Sequence, residues 1–186
     1  MGVNNMPNAK TMYIPVGSGH VYATEFSGTI PADNVIETEA NRLGYVEGGG
    51  TIEYQPSFAM FRDDLHIVSR TKLTSEECTF KAELLAYSLS DMDKFASTAR
   101  IAEADGHRTI KIGGMVNDSG KRWLIRFHHP DAKYGDVRLT VVGTQAGGFT
   151  LTYKNDEASK MALEIHAEPS DNEGTLILMD ETLPSA

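Results

Sequence analysis

The stretch Glu77-Cys-Thr-Phe-Lys-Ala-Glu-Leu-Leu-Ala-Tyr87 decides the fold class of this chain. Between positions 77 and 84, polar side chains at odd numbers alternate with small or apolar side chains at even numbers. The apolar set is Cys78, Phe80, Ala82 and Leu84. A period of two is typical of a β-strand with one buried face. The pattern therefore predicts a strand here and makes Cys78 a buried structural thiol rather than a nucleophile.

Further segments with strand character lie on both sides of this one. Upstream, they cover residues 20–26, 51–60 and 65–71, with Pro56 at a bulge or sheet edge. Downstream, they are Thr109–Met115, Arg122–His128, Asp136–Thr144, Phe149–Lys154, Met161–Glu168 and Thr175–Met179. Short linkers rich in Gly, Asn, Asp and Pro separate them. This spacing predicts a mainly β protein, an antiparallel β-sandwich or partly open barrel.

One helix is predicted, over about residues 89–100, on the flank of the sheet. Ser88 or Ser90 can cap it, and acidic residues occupy its first turn. Its apolar stripe consists of Leu89, Met92, Phe95, Ala96 and Ala99.

The chain of 186 residues is expected to form a single domain. Residues 1–50 are Gly-rich and poorly patterned, so we predict an N-terminal segment with a long mobile loop. A mildly helical patch covers residues 34–43, with Asp33 or Asn34 as its cap. Residues 51–180 form the predicted β core, and residues 181–186 form a tail.

Composition excludes several classes of protein. The formal charge is −9, and residues 155–186 carry one basic and eight acidic side chains, which disfavours general nucleic-acid or membrane binding. A single cysteine fits a reducing compartment without a disulfide framework. No apolar run is long enough for a membrane span, and the first residues lack the features of a signal peptide.

No catalytic or metal-binding pattern emerges from the sequence. The six histidines lack paired ligand spacing, and His128 and His129 face opposite sides of a strand. We therefore expect solvent-facing histidines, no metal, no cofactor and no enzyme activity. Around Trp123 the alternation places apolar side chains in the core. It leaves the basic ones on a solvated or intersubunit face.

The order of elements resembles the major tail tube proteins of long-tailed bacteriophages. The resemblance covers roughly residues 10–180. It rests on the Gly-rich N-terminal third, the motif Leu43-Gly-Tyr-Val-Glu-Gly-Gly, the strand ending at Tyr87, the short helix after it and the run of C-terminal strands. It implies a β-sandwich subunit that closes into rings of six, and rings that stack into a tube for the genome. The inner tubes of contractile injection systems are similar.

The resemblance implies partners and a location. The partners are other copies of the chain and the tail terminator, baseplate or tail-tip and tape measure proteins. DNA passes through the lumen without specific binding, and no membrane is involved. The location is the virion tail, assembled in the host cytoplasm.

Two sets of site residues follow from the resemblance. An acidic wall lets a polyanion slide, which makes Glu53, Glu77 and Glu83 candidate lumen acids. We expect residues 28–50 to be mobile in the monomer and ordered between stacked rings, as are residues 1–10 and the tail after Asp180. The candidate inter-ring or intersubunit loop residues are Asp33, Asn34, Glu37, Arg42, Leu43 and Tyr45.

Other functions remain open at this point. The chain could be a different β-sandwich assembly protein: a tail terminator, a head decoration protein or a secretion-system tube subunit. It could also be a small ligand-binding β-sandwich, although that would need an exposed aromatic cluster.

Overall fold

A computed structural model describes residues 16–182 of the chain. The predicted mainly β, antiparallel architecture with a short helix is confirmed. The strands are β1 His20–Glu25, β2 Arg42–Arg62, β3 Ser69–Tyr87, β4 Arg100–Ala104, β5 His107–Lys111, β6 Trp123–His129, β7 Val137–Gln145, β8 Met161–Ala167 and β9 Ile177–Glu181. Two short α-helices are α1 Asp33–Ile36 and α2 Met92–Phe95, and 3₁₀ turns cover Glu39–Asn41, Leu89–Asp91 and Met115–Asn117.

The main sheet closes on itself. Within residues 16–182, its strand order is β6-β1-β2-β3-β8-β7-β9, and an additional β6–β7 ladder joins its two sides into a six-stranded barrel. One edge of β7 pairs with β6, and the other pairs with β9 over Val137–Val141 and then with β8 from Gly143. A Cβ at Gly143 would lie 1.9 Å from the carbonyl oxygen of His166. Only glycine therefore lets β7 and β8 approach closely enough to close the barrel.

Alternating apolar side chains fill the barrel, as the sequence pattern predicts. Cys78, Phe80, Ala82 and Leu84 are buried, and burial raises the pKa of the Cys78 thiol. Trp123, Ile125 and Phe127 contribute from β6. Below the barrel, Met92 and Phe95 of α2 pack into the same cluster.

Four local predictions were wrong. The helix expected over 89–100 is a 3₁₀ turn followed by one α-helical turn that ends at Phe95. Residues 149–154 form no strand, although Phe149 and Leu151 pack against the core. The strand expected over residues 65–71 begins only at Ser69. The loop expected up to residue 50 ends earlier, since β2 starts at Arg42 and its glycines 48 and 49 form a bulge with positive φ angles.

The outer face of β6 is also not solvated. Residues 26–41 fold over it and form a second apolar cluster, which contains Tyr22, Ile36, Leu124 and Val142. Arg126, on this same face, is only 3% exposed. The N-terminal segment thus covers the outside of the barrel instead of leaving it open.

An ion-pair network fixes this covering segment, and we call it the clamp. Its members are Asp33, Glu37, Arg126, His128, Asp136 and Arg138. Arg126 donates to Asp33 at 2.6 Å and to Glu37 at 3.1 Å, and Arg138 donates to Glu37 at 2.8 Å. The hydrogen bond from Arg126 lowers the pKa of Asp33 below its usual 3.8. The ionised form is therefore the stable one at neutral pH, and its contribution is lost only when the pH falls through that lowered pKa.

Two of the six histidines expected in solvent are part of this surface, whereas His66, His107 and His166 are exposed as predicted. His128 lies between Glu37 and Asp136, with nitrogen–oxygen distances of 3.2 and 3.1 Å. His129 is 9% exposed, and its Nδ1 lies 2.7 Å from the carbonyl oxygen of Ser18. Both rings are held by protein groups, although the buried Nε2 of His129 has no hydrogen-bond partner among residues 16–182. For these two residues, the expectation of solvent-facing histidines was wrong.

The clamp generates a stability prediction. Glu37→Gln removes the carboxylate that Arg126 and Arg138 share and leaves Asp33 alone to compensate the buried charge of Arg126. The free energy of unfolding should therefore fall by about 2–3 kcal/mol. Glu39→Gln is the matched control, because the Glu39 side chain is 80% exposed beside Arg42. Urea unfolding of both variants checks this. Equal effects of the two substitutions would show that the clamp contributes nothing beyond a surface ion pair.

Candidate assembly interface

A long two-stranded hairpin extends beyond the barrel. β2 pairs with β1 only over Arg42–Tyr45, and β3 pairs with β8 only over Thr79–Leu84. Beyond these points, residues 55–77 pair with each other and, within residues 16–182, with no other strand. We call residues 55–77 the hairpin arm. Its strand portion of eight residues extends roughly 25 Å.

One face of the hairpin arm is apolar. Tyr54, Phe58, Met60 and Leu73 lie on the side that faces the core in the barrel, and they are 47%, 62%, 55% and 41% exposed. The face therefore continues the pattern of the barrel interior into a region where nothing within residues 16–182 covers it. Apolar side chains of this size on one contiguous strip are typical of a protein contact surface.

A β-bulge keeps this strip continuous. The register shifts between Ser57 and Phe58, so that Thr74 is the extra residue of β3. The Thr74 hydroxyl donates to the carbonyl oxygen of Ser57 at 3.0 Å. Without the extra residue, Leu73 would point to the opposite face. The bulge places it directly opposite Phe58 instead.

Over the barrel and β8, the opposite face of the hairpin is polar and acidic. Farther along the arm, this face carries Phe61, Arg70 and Lys72, since Phe61 pairs with Arg70 and Ala59 with Lys72. Paired positions place Glu53 beside Thr79 and Gln55 beside Glu77. Five carboxylates and two ammonium groups form this acidic face: Glu47, Glu53, Glu77, Glu83, Glu164, Lys81 and Lys160. The excess of carboxylates makes this surface electronegative.

Salt bridges organise the acidic face. Lys81 lies 2.9 Å from Glu53 and 3.9 Å from Glu164, and Lys160 lies 2.9 Å from Glu47 and 3.5 Å from Glu83. Hydrogen bonds from Glu53 and Glu47 raise the pKa values of Lys81 and Lys160, respectively. Both lysines are thus held in the charged form, between carboxylates that outnumber them.

The tip of the hairpin arm is ordered and apolar. The Asp63 carboxylate accepts the Val68 N–H at 2.7 Å, and the Asp63 N–H donates to the Val68 carbonyl at 3.1 Å. His66 adopts a positive φ of 57°, which the turn requires. Leu65, Ile67 and Val68 are 77%, 76% and 68% exposed. A defined loop therefore presents three aliphatic side chains to the outside.

The three predicted lumen acids lie together. Glu53, Glu77 and Glu83 are exposed and share the acidic face, as their alternation predicts. Glu77 has no ion-pair partner within residues 16–182.

The six predicted inter-ring residues do not form one exposed loop. Leu43 is 1% exposed, and the Glu37 side chain is 13% exposed within the clamp. Asp33 is bound to Arg126, and the Arg42 guanidinium lies over the rings of Tyr22 and Tyr45. Asn34 and Tyr45 are exposed. Leu43 and Glu37 therefore serve the fold of the subunit rather than a surface contact, and the predicted mobility of residues 28–50 stays untested.

Sequence reasoning missed the hairpin arm as the most exposed apolar feature. The signal was the apolar group Phe61, Leu65, Ile67 and Val68 around the charged turn at Asp63 and Asp64. The pattern predicts a half-buried strand over residues 65–71, because alternation alone does not indicate whether another part of the protein covers its apolar side.

Residues 16–182 show no metal site, no membrane-spanning helix and no deep pocket. No cluster of His, Cys, Asp and Glu side chains in this range has the arrangement of a metal site. No helix in the described part of the chain combines the length and apolar character needed to cross a membrane. The surface grooves are shallow and lined by both polar and apolar residues. One example is a groove of about 340 Å³ between Tyr54, Glu76 and residues 174–177.

Comparison with known proteins adds no family. The chain matches no protein-family model and no curated protein sequence.

The hairpin arm should be dispensable for folding of the barrel. Replacing residues 59–72 by an Asn-Gly turn removes only side chains and ladder bonds that belong to the arm itself, so the thermal midpoint should change by less than about 4 °C. Fluorescence of the buried Trp123 and near-UV circular dichroism measure the packing of the core. A loss of cooperative unfolding would show that the arm is part of the folding unit.

Proposed function

We propose that this chain is a structural virion protein that self-assembles into stacked rings, forming a tail tube through which a genome passes. The hairpin arm is the observation that carries the proposal. An isolated two-stranded ribbon with an apolar face is at best marginally stable in water. Its open edges and exposed aliphatic tip are suited to contact with a further protein chain.

Assembly would give each face of the hairpin a different environment. The apolar face of Phe58, Met60 and Leu73 packs against a neighbouring copy, which removes it from water at about 25 cal/mol per Å². The acidic face of Glu53, Glu77 and Glu83 lines the lumen. Joined hairpins from all the subunits of a ring form the inner wall.

The acidic face suits a conduit for DNA. A basic wall would bind phosphates and release counterions, and its affinity would fall with a salt slope of about −0.9 per contact. The excess carboxylates around Lys81 and Lys160 instead repel the polyanion weakly. DNA then slides without specific binding.

Ring number, partners and location follow the tail tube resemblance. The rings contain six subunits and stack in the virion tail after assembly in the host cytoplasm. The ends of the tube bind the tail terminator and the baseplate or tail-tip proteins, and the tape measure protein occupies the lumen during assembly. No catalytic activity and no cofactor are part of this function.

Electron microscopy of concentrated protein tests the proposal. The wild type should form tubes of stacked rings, and Leu65→Asp with Ile67→Asp should leave subunits or short rings, because two charges replace the apolar tip. Tyr153→Ser is the matched control, since Tyr153 is 78% exposed on a loop away from the arm. Single rings without stacking would favour a tail terminator, and monomers at every concentration would refute self-assembly.

Charge reversal tests the role of the acidic face. In assembled tubes, Glu53→Lys, Glu77→Lys and Glu83→Lys together should cause retention of double-stranded DNA that weakens steeply with salt. Wild-type tubes should retain none at 150 mM salt. Sedimentation of tubes with labelled DNA measures both. Equal retention by wild type and variant would place this face away from the lumen.

A further inference from the structure

Strand β9 leaves a second open sheet edge on the molecule. Its inner neighbour is β7, through Leu139↔Met179 and Val141↔Ile177, and no strand within residues 16–182 pairs with its other edge. Met179 is 64% exposed and lies on the same side as Ile177. Asp180 is exposed on the alternate side with Leu178. Glu181 pairs with Val137 and so shares the Met179 side. The edge therefore offers backbone donors and acceptors, a mainly apolar side and a side that carries Asp180.

The surroundings of β9 are acidic, although Glu164 and Glu168 pair with Lys81 and Arg122. Residues 161–182 contain six carboxylates and no lysine or arginine. Glu173 and Asp180 have no ion-pair partner among the described residues. Like charges of this kind disfavour pairing of β9 with β9 of another copy.

The distal part of the hairpin arm carries the opposite charge. Arg62, Arg70 and Lys72 are exposed, and none of them is in an ion pair within residues 16–182. Arg70 and Lys72 alternate along β3 with Thr71 and Leu73. Two arms therefore repel each other along this edge, just as two β9 edges do.

We propose that the hairpin arm of one copy docks edge to edge on β9 of a second copy, held by Arg70 and Lys72 against the acidic side of β9. This inference deepens the proposed function, because it names the contact through which copies join. The pairing that brings Lys72 beside Asp180 also brings Leu73 beside the Ile177 and Met179 side. Charge and apolar character thus match in the same register.

The contact is heterologous, since an arm meets an edge that is not an arm. Such contacts propagate and close into rings or continue as filaments, whereas self-complementary patches stop at dimers. Both symmetric alternatives, arm with arm and β9 with β9, bring like charges together. The charge distribution therefore selects the head-to-tail contact that a ring needs.

Mixing charge-reversed variants tests the contact. One variant carries Arg70→Glu with Lys72→Glu, the other Glu173→Lys with Asp180→Lys, and each alone should raise the critical concentration for assembly about tenfold. An equal mixture should recover near wild-type assembly, because each acidic arm then meets a basic edge and each basic arm meets an acidic edge. Lys111→Glu, at an exposed lysine outside any ion pair, is the control and should change nothing. Light scattering and sedimentation measure assembly, and thermal midpoints confirm that each variant is folded.

The outcomes separate this inference from the proposed function. If the wild type assembles and the reversed variants assemble equally well, the arm docks elsewhere, and the inference is wrong while self-assembly stands. If each variant fails and the mixture also fails, the charges act within one chain, which again refutes the contact between copies. If the wild type never assembles, the proposed function and this inference fall together.

Discussion

A two-stranded β-ribbon cannot bury its own apolar face, and this constraint governs the whole molecule. Inside the barrel, each strand has neighbours on both edges and a filled core behind it. Where β2 and β3 pass beyond β1 and β8, both edges open and the same alternation continues without cover. Burial of Phe80 therefore stabilises the barrel, whereas the exposed Phe58 gives the subunit no such stabilisation. In the proposed assembly, a neighbouring copy supplies the missing layer.

On the outside of the barrel, another segment of the same chain covers the apolar face. The face that carries Leu124 and Arg126 is covered by residues 26–41, so the subunit needs no partner there. A buried guanidinium is costly unless carboxylates compensate it. Asp33 and Glu37 supply that compensation and thereby hold the covering segment in one place. In the proposed assembly, the closed outer face and the open hairpin arm together direct contacts between copies to one side of the subunit.

Sequence patterns predicted what depends on neighbours in the chain. Strands such as Trp123–His129 and Met161–Ala167 were found because alternation is a local signal. The predictions were wrong where residues that are distant in the sequence determine the burial or pairing of a segment. Arg126 was placed on a solvated face, but its partners Asp33 and Glu37 lie 93 and 89 positions away. Phe149 and Leu151 alternate like a strand, yet they only pack against the core while their backbone stays unpaired.

The candidate site was likewise predicted only in part. The common face of Glu53, Glu77 and Glu83 followed from alternation once β2 and β3 were paired in register. The exposed strip of Phe58 and Leu73 did not, because the bulge at Thr74 changes which side Leu73 occupies. No periodicity rule places such a bulge. Periodicity also does not indicate that a strand stops pairing with its outer neighbour halfway along its length.

Charge acts on two length scales in this molecule. The net charge of −9 repels whole copies, but at physiological ionic strength that repulsion is screened beyond about 8 Å. Contacts within an ion pair act at about 4 Å and are screened less when the surrounding apolar side chains exclude water. In the proposed contact, basic side chains on the hairpin arm and acidic ones along β9 attract each other only after two copies meet in the correct orientation. Long-range repulsion then opposes unspecific association, and short-range complementarity selects how copies join.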